Sequence, residues 1–319
     1  MTGLLRAAIV GQTGAMTALD DATVSARARR LAGAIEPFAG QVYFARECHE
    51  NYERLGFSAS PGEANGVALP DGPAYFTSRG SILGQVPGEV VASAFAVFNP
   101  AIVVPLVDVG WSLTDAASIR AARSDGATAQ LERILGEEPD GIGRATALLD
   151  QASAGLRPEG RPLFAGLVSN GRPGNPMGDA WHLADRLREY RGDSHTAAWI
   201  SAGIDATEIG LLTELFWGLP MRSYIRSRAW SADELDTAES RLVDRGLAAN
   251  GGFTDLGREV REGVEQVTDR QCRPVVENLG EDLDELLAIL EPWGAAIRDA
   301  GGYLASGPHD LARSTGSTT

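Results

Sequence analysis

The stretch that most restricts the fold is "WSADELDTAESRLVDRGLAANGGFTDLGREVREGVEQVTDR", residues 230–270. Ser231 followed by Glu234 forms a capping box, in which the serine accepts from the backbone three residues on and the glutamate reaches back to the cap. Apolar residues then recur at helical spacing as far as Gly246. In "LAANGGFT" two short apolar runs flank Asn-Gly-Gly, whose residues tolerate the positive φ angles of a tight hairpin turn. Thr254 caps the long helix that follows. The stretch predicts helix, two-stranded hairpin, helix.

The rest of the chain has helical periodicity and few strand signals. Residues 21–54 predict helix stopping at Gly56, and 58–73, rich in Gly, Pro and Ala, predict a loop. That loop is either a lid or binding loop, or a simple insertion. Pro87 opens a helix through Phe98, and Asn99-Pro100 closes it and opens another. Ser112–Asp115 caps a helix to Leu135, and a further helix covers 141–154. In the second half Asp179 caps a helix through Tyr190, Gly192 ends it and Asp193 caps the next. Asp205 and Glu208 form a second capping arrangement. The fold class expected is mainly α, with a winged-helix unit at 230–270. The organisation expected is an N-terminal helical half (1–155), a C-terminal helical half (156–305) and a disordered tail (306–319), with residues 1–20 also loose.

Charge bears on partners. The chain of 319 residues carries a net charge of −15, and all 28 of its basic residues are arginine. An acidic protein starts at a disadvantage against phosphate backbones. The helix before the hairpin sets Asp233, Glu234, Asp236, Glu239 and Asp244 against Arg241 and Arg245, and the "AANGGF" turn has no basic residue. Only "MRSYIRSRAW" (221–230), with Arg222, Arg226 and Arg228, offers a modest basic patch. Nucleic acid is therefore not the expected partner. Cys48 and Cys272 are far apart, with no metal-ligand spacing and no phosphate-binding glycine loop, so neither metal nor cofactor is expected. No run of eighteen apolar residues exists, so no membrane association is expected and the cytoplasm is the expected location.

Candidate chemistry gathers in "LREYRGDSHTAAW" (187–199). On a helix over 180–191, Ala180, Leu183, Ala184, Leu187 and Tyr190 form the apolar face, with His182, Arg186 and Glu189 along its edge. Glu189 can orient His182 as a general base, and His195 faces the same space across the Gly192 corner. The plainer reading makes Arg186–Glu189 a surface ion pair and Asp193 only a cap. Arg79, in an apolar region, needs either a carboxylate such as Glu47 or Glu50, or an anionic ligand. Tyr43, Phe44, Tyr52, Phe57, Tyr75, Phe76, Phe95 and Phe98 either line a pocket or form an aromatic core. Tyr43, Tyr75, Arg79, Phe98, Asn99, Arg191 and Trp199 are the ligand-binding candidates.

Arg241-Leu242, Arg245-Gly246-Leu247, Thr254 and Gly257-Arg258 resemble the wing region of MarR-type regulators. With "VYFARE" (42–47), "AYFTSRGSILGQV" (74–86), "FNP" (98–100) and "LREYRGDSHTAA" (187–198), the chain is similar to the actinobacterial SalK helix-turn-helix family, found beside specialised-metabolite gene clusters. "SRGSILG" (78–84) and "FAVFNP" (95–100) depart from that family's pattern. The resemblance implies a mostly helical fold and little about activity. The function expected is a metal-free acid–base enzyme (hydrolysis, elimination or isomerisation) with His182 or His195 as base, Glu189 as orienter and Arg79 as anion anchor. Its ligand would be a small organic molecule, aromatic or anionic, held between the two halves, and a homodimer is allowed. The alternative is a MarR-like ligand-responsive regulator or a non-catalytic ligand-binding protein.

Overall fold

A computed structural model describes residues 19–305; the expected loose first eighteen residues and the 306–319 tail lie outside the described residues. The chain is mainly α-helical. Its first part comprises α1 (Asp21–Gly40), α2 (Arg46–Arg54), the short hairpin β1–β2 (Glu63–Ala64, Val67–Ala68), α3 (Gly72–Gly80), α4 (Gly88–Phe95), α5 (Pro100–Leu113), α6 (Ala116–Leu135) and α7 (Ile142–Ser153). Then come α8 (Pro162–Ser169), α9 (Pro176–Ser201), α10 (Ala206–Phe216), α11 (Ala232–Asp244), the hairpin β3–β4 (Ala248–Ala249, Gly252–Phe253), α12 (Asp255–Gln271), α13 (Arg273–Leu279) and α14 (Leu283–Asp299).

Three apolar cores organise these helices. The largest takes residues from both ends of the chain, with Phe38, Leu131, Leu149, Trp181 and Leu287 buried together. Its helices approach closely: a Cβ on Gly126 of α6 would lie 2.5 Å from the Cys48 Cα of α2, so no larger residue fits there. Cys48 and Cys272 are free thiols buried in this core, and burial pushes them up to about 12 and 11. A second core, of Phe76, Phe95, Phe98, Val103 and Leu163, joins α3, α4, α5 and α8. The third belongs to the winged unit: Ala198 and Trp199 from the end of α9 pack with Leu212, Ile225, Leu235, Leu242 and Val264. Among the described residues no single helix is long and apolar enough to cross a membrane.

The winged unit has the predicted form. Ser231 with Glu234 and Asp205 with Glu208 both make reciprocal capping boxes, and Thr254 caps α12. The hairpin pairs Ala248 with Phe253 and Ala249 with Gly252.

Three expectations are corrected. First, α9 does not break at Gly192; it runs as a 26-residue helix capped by Asn175 rather than by Asp179. One helical glycine costs about 1 kcal/mol, whereas burying Tyr190 and Trp199 on either side contributes roughly 1.5–3 kcal/mol each, so packing decides. Asp193 does cap a helix, but that helix is α8: its Oδ2 accepts from the Phe164 N–H at 3.0 Å. Second, the helix from Gly88 ends at Phe95, with Ala96 in a positive-φ turn at 54°. Third, residues 58–73 contain the β1–β2 hairpin, turned at Asn65 (φ 53°) and Gly66 (φ 79°). "ANG" is the same Asn-Gly signal that marks the wing.

A candidate ligand cavity beside the winged unit

A cavity of about 700 Å³ lies between the second core and the middle of α9. Tyr43, Tyr75, Phe76, Phe95, Phe98 and Trp199 give it an aromatic wall. The rings pack on one another as well as facing the space: Tyr75 and Phe98 have centroids 5.8 Å apart, and Phe76 and Phe98 5.2 Å in an edge contact. Pocket and aromatic core are thus the same residues. Asn65, Val67 and Leu69 of the 58–73 segment also line it. Tyr52 and Phe57 pair with each other in the first core instead.

Buried charge forms the floor. Arg79 grips Glu189, with Nη2 at 3.0 Å from Oε2 and Nε at 3.2 Å from Oε1. Arg188 donates to Glu189 at 3.0 Å and to both oxygens of Glu36, at 3.0 and 3.1 Å. The Tyr303 hydroxyl donates to Glu36 at 2.8 Å. Burial pushes Glu189 up, but Arg79 and Arg188 outweigh it and hold its carboxyl below the usual range. The partner of Arg79 is therefore Glu189, not Glu47 or Glu50. Those two pair with Arg133 and Arg54.

The histidines do not converge. His182 and Glu189 are seven residues apart on one helix, a rise of about 10 Å, and Arg79 and Arg188 occupy the carboxylate. His182 is buried away from the cavity, Nε2 within 3.2 Å of the Leu167 carbonyl and accepting from Arg186 Nε at 3.0 Å. Burial and the Arg186 charge take it down to about 3. His195 does line the cavity, but its Nδ1 faces Thr268 at 3.2 Å, and burial takes it down to about 4 against the pull of Glu265. The expected ion pair of Arg186 with Glu189 does not form. Arg191 belongs to a neighbouring pocket of about 200 Å³ and pairs with Glu265 at 2.8 Å and Asp269 at 3.3 Å. Asn99 stands outside the cavity, capping α5 and donating to the Ala229 carbonyl at 3.2 Å. Among the described residues no cluster of metal-ligating side chains forms.

Sequence reasoning missed two features. Asp193 lines the cavity, and burial, with Glu189 nearby, pushes it up to about 7 despite the Phe164 N–H. Arg228 also lines it, with its guanidinium carbon 4.6 Å from the ring centres of both Phe98 and Tyr224. The basic stretch 221–230 was a visible signal; its turn toward a cavity was not.

The winged unit presents acid outward. Arg241 is bound to Asp205 at 2.5 Å and Glu208 at 3.2 Å, and Arg245 to Glu208 at 2.9 Å. Asp233 and Asp244 are left exposed on α11, Asp236 pairs with Arg222 at 2.5 Å, and the exposed arginines near this helix with no carboxylate partner among the described residues are Arg226 before α11 and Arg258 after the hairpin.

These features define a helical protein in which a winged unit abuts an aromatic cavity. The model of a helix-turn-helix family matches residues 28–304, and the chain belongs to that family. No curated protein and no solved structure matches the chain. Membership overturns the expectation of an acid–base enzyme, because a helix-turn-helix family points to a DNA-binding regulator, and the separated histidines leave that expectation without geometry. It also conflicts with the expectation against nucleic acid.

Proposed function

We propose that the chain is a ligand-responsive regulator of the helix-turn-helix family, with a small aromatic molecule in the cavity setting the position of the winged unit. One observation carries this reading: Trp199 belongs at once to the cavity wall and to the core of the winged unit. A ligand that moves this ring must repack the unit, since packed interiors do not deform smoothly. The four segments similar to the SalK group support placement in that branch.

DNA contact on this reading runs through Arg226 and Arg258 rather than through the face of α11. Two phosphate contacts give a logarithmic salt slope of about −2, well below that of a strongly basic reader. The test is fluorescence anisotropy with DNA from around the protein's own gene at several salt concentrations, together with native mass spectrometry for co-purified ligand and subunit count. Sequence-specific binding that a retained small molecule alters supports the reading. Absence of specific binding at low salt, with and without that molecule, overturns it.

The acidic α11 surface favours a second reading, a ligand-binding member that no longer meets phosphate. Neutralising Asp233 and Asp244 to Asn decides between them. A regulator already on DNA tightens and its salt slope steepens, while a protein without DNA affinity stays without it.

A further inference from the structure

We infer that the cavity takes a planar aromatic acid whose anionic end is held by Arg228 and whose occupancy the winged unit reads through the 217–231 link. The inference rests on the ligand-responsive reading and names its ligand class and sensing residue.

The charge inventory points to Arg228. Arg79 and Arg188, the other arginines on the cavity, are neutralised by Glu189 and Glu36. Arg228 has no carboxylate partner among the described residues; it lies between Phe98 and Tyr224 and donates to the Tyr224 hydroxyl. Two aromatic faces fix a guanidinium in place without cancelling its charge. Its remaining N–H groups find no acceptor among the described residues, and a planar fork of this kind suits a carboxylate. Nearby, Trp199 stands on the cavity wall. The aromatic wall supplies stacking for the rest of the molecule, and about 700 Å³ accommodates several fused rings.

The link that carries Arg228 is held at both ends. On one side the buried carboxylate of Glu214, in α10, accepts from the N–H groups of Arg222 at 2.5 Å, Tyr224 at 2.5 Å and Ile225 at 2.6 Å. On the other, Asn99 N–H donates to the Arg228 carbonyl at 3.0 Å, and Trp230 Nε1 donates to the Val97 carbonyl at 2.9 Å. Ser231, three residues past Arg228, caps α11. Arg222 (φ 64°) and Ala229 (φ 61°) adopt the left-handed backbone that non-glycine residues avoid. An anion drawn to Arg228 therefore acts on a strained segment tied to α10 and to α11.

The experiment is fluorescence titration of the full chain with 1-pyrenecarboxylate and its neutral amide, followed by hydrogen exchange over 217–244. Wild type should bind the acid at least about tenfold more tightly than the amide, a difference of roughly 1.4 kcal/mol. Arg228→Gln should remove that preference, and a cooperative thermal unfolding transition reports that the variant is folded. Arg228→Lys should retain part of it. Trp199→Phe should weaken both probes by a similar factor. The acid should slow exchange over 217–244 in wild type and not in Arg228→Gln. Equal affinity for acid and amide in wild type, or an unchanged preference in Arg228→Gln, overturns the anion site. Acid binding with unaltered exchange overturns the coupling. Loss of specific DNA binding alone would remove the regulator reading and leave the acid preference in place, so the two failures are distinguishable.

Discussion

The Asp193 carboxylate caps a helix to which it does not belong, accepting from the Phe164 N–H at 3.0 Å across 29 residues of chain. The bond ties the middle of α9 to the first turn of α8, and it holds an acid that burial pushes up to about 7. Between its ordinary value near 3.8 and that folded value, the native state keeps a proton that the unfolded chain has lost. Stability from this group is therefore fully present below about pH 4 and falls as pH rises toward 7. An asparagine side chain in its place would offer Phe164 a similar acceptor without titrating. The gap in melting temperature between Asp193→Asn and wild type should widen in the variant's favour from pH 4 to 7; parallel curves would contradict this.

His182 and His195 act in the opposite direction. Their folded values, about 3 and about 4, lie below the ordinary 6.5, so both are neutral in the native protein near pH 6. Their contribution is present above about pH 6.5 and is lost as pH falls toward 4. His195→Gln should flatten the acid side of the stability profile and leave the side above pH 7 unchanged, as measured by thermal unfolding across the range.

Gly192 lies in the helical interior of α9, and a Cβ there would meet Glu189 Oε2 at 3.5 Å, an ordinary contact. Gly192→Ala should stabilise the fold by up to about 1 kcal/mol through helix propensity alone. The methyl group also enters the cavity wall, so aromatic ligands should bind more weakly to the more stable variant. A destabilised Gly192→Ala protein would show that the backbone at 192 must bend.

Glu189 is 1% exposed and answers two arginines. Glu189→Gln leaves Arg79 and Arg188 short of charge, and chemical denaturation should show a loss of about 3–5 kcal/mol. Replacing the pair together, Arg79→Met with Glu189→Leu, should recover a substantial part, because the Arg79 charge is gone and Arg188 keeps Glu36. Equal losses in the single and double variants would mean that the pair is not coupled.

The capping grammar of the sequence located the starts of α6, α10, α11 and α12 to within a residue or two, because Asp115, Asp205, Ser231 and Thr254 satisfy their own local N–H groups. Gly192-Asp193 misleads for the same reason: its local signal is a stop and start, and only burial against other helices keeps α9 intact. Glu189 was visible as an edge residue of the helix, but its partner lies 110 residues away, and local spacing carries no information on such pairs. Arg228 was visible as charge, while its role depends on which carboxylates the fold assigns to other arginines.

The burial of both thiols has a practical consequence. With Cys48 and Cys272 enclosed and held as protonated thiols, maleimide reagents should leave the folded wild-type protein unlabelled. A cysteine introduced at the exposed hairpin tip, Asn250→Cys, then becomes the single reactive position, and a dye placed there reports wing movement from an otherwise silent background.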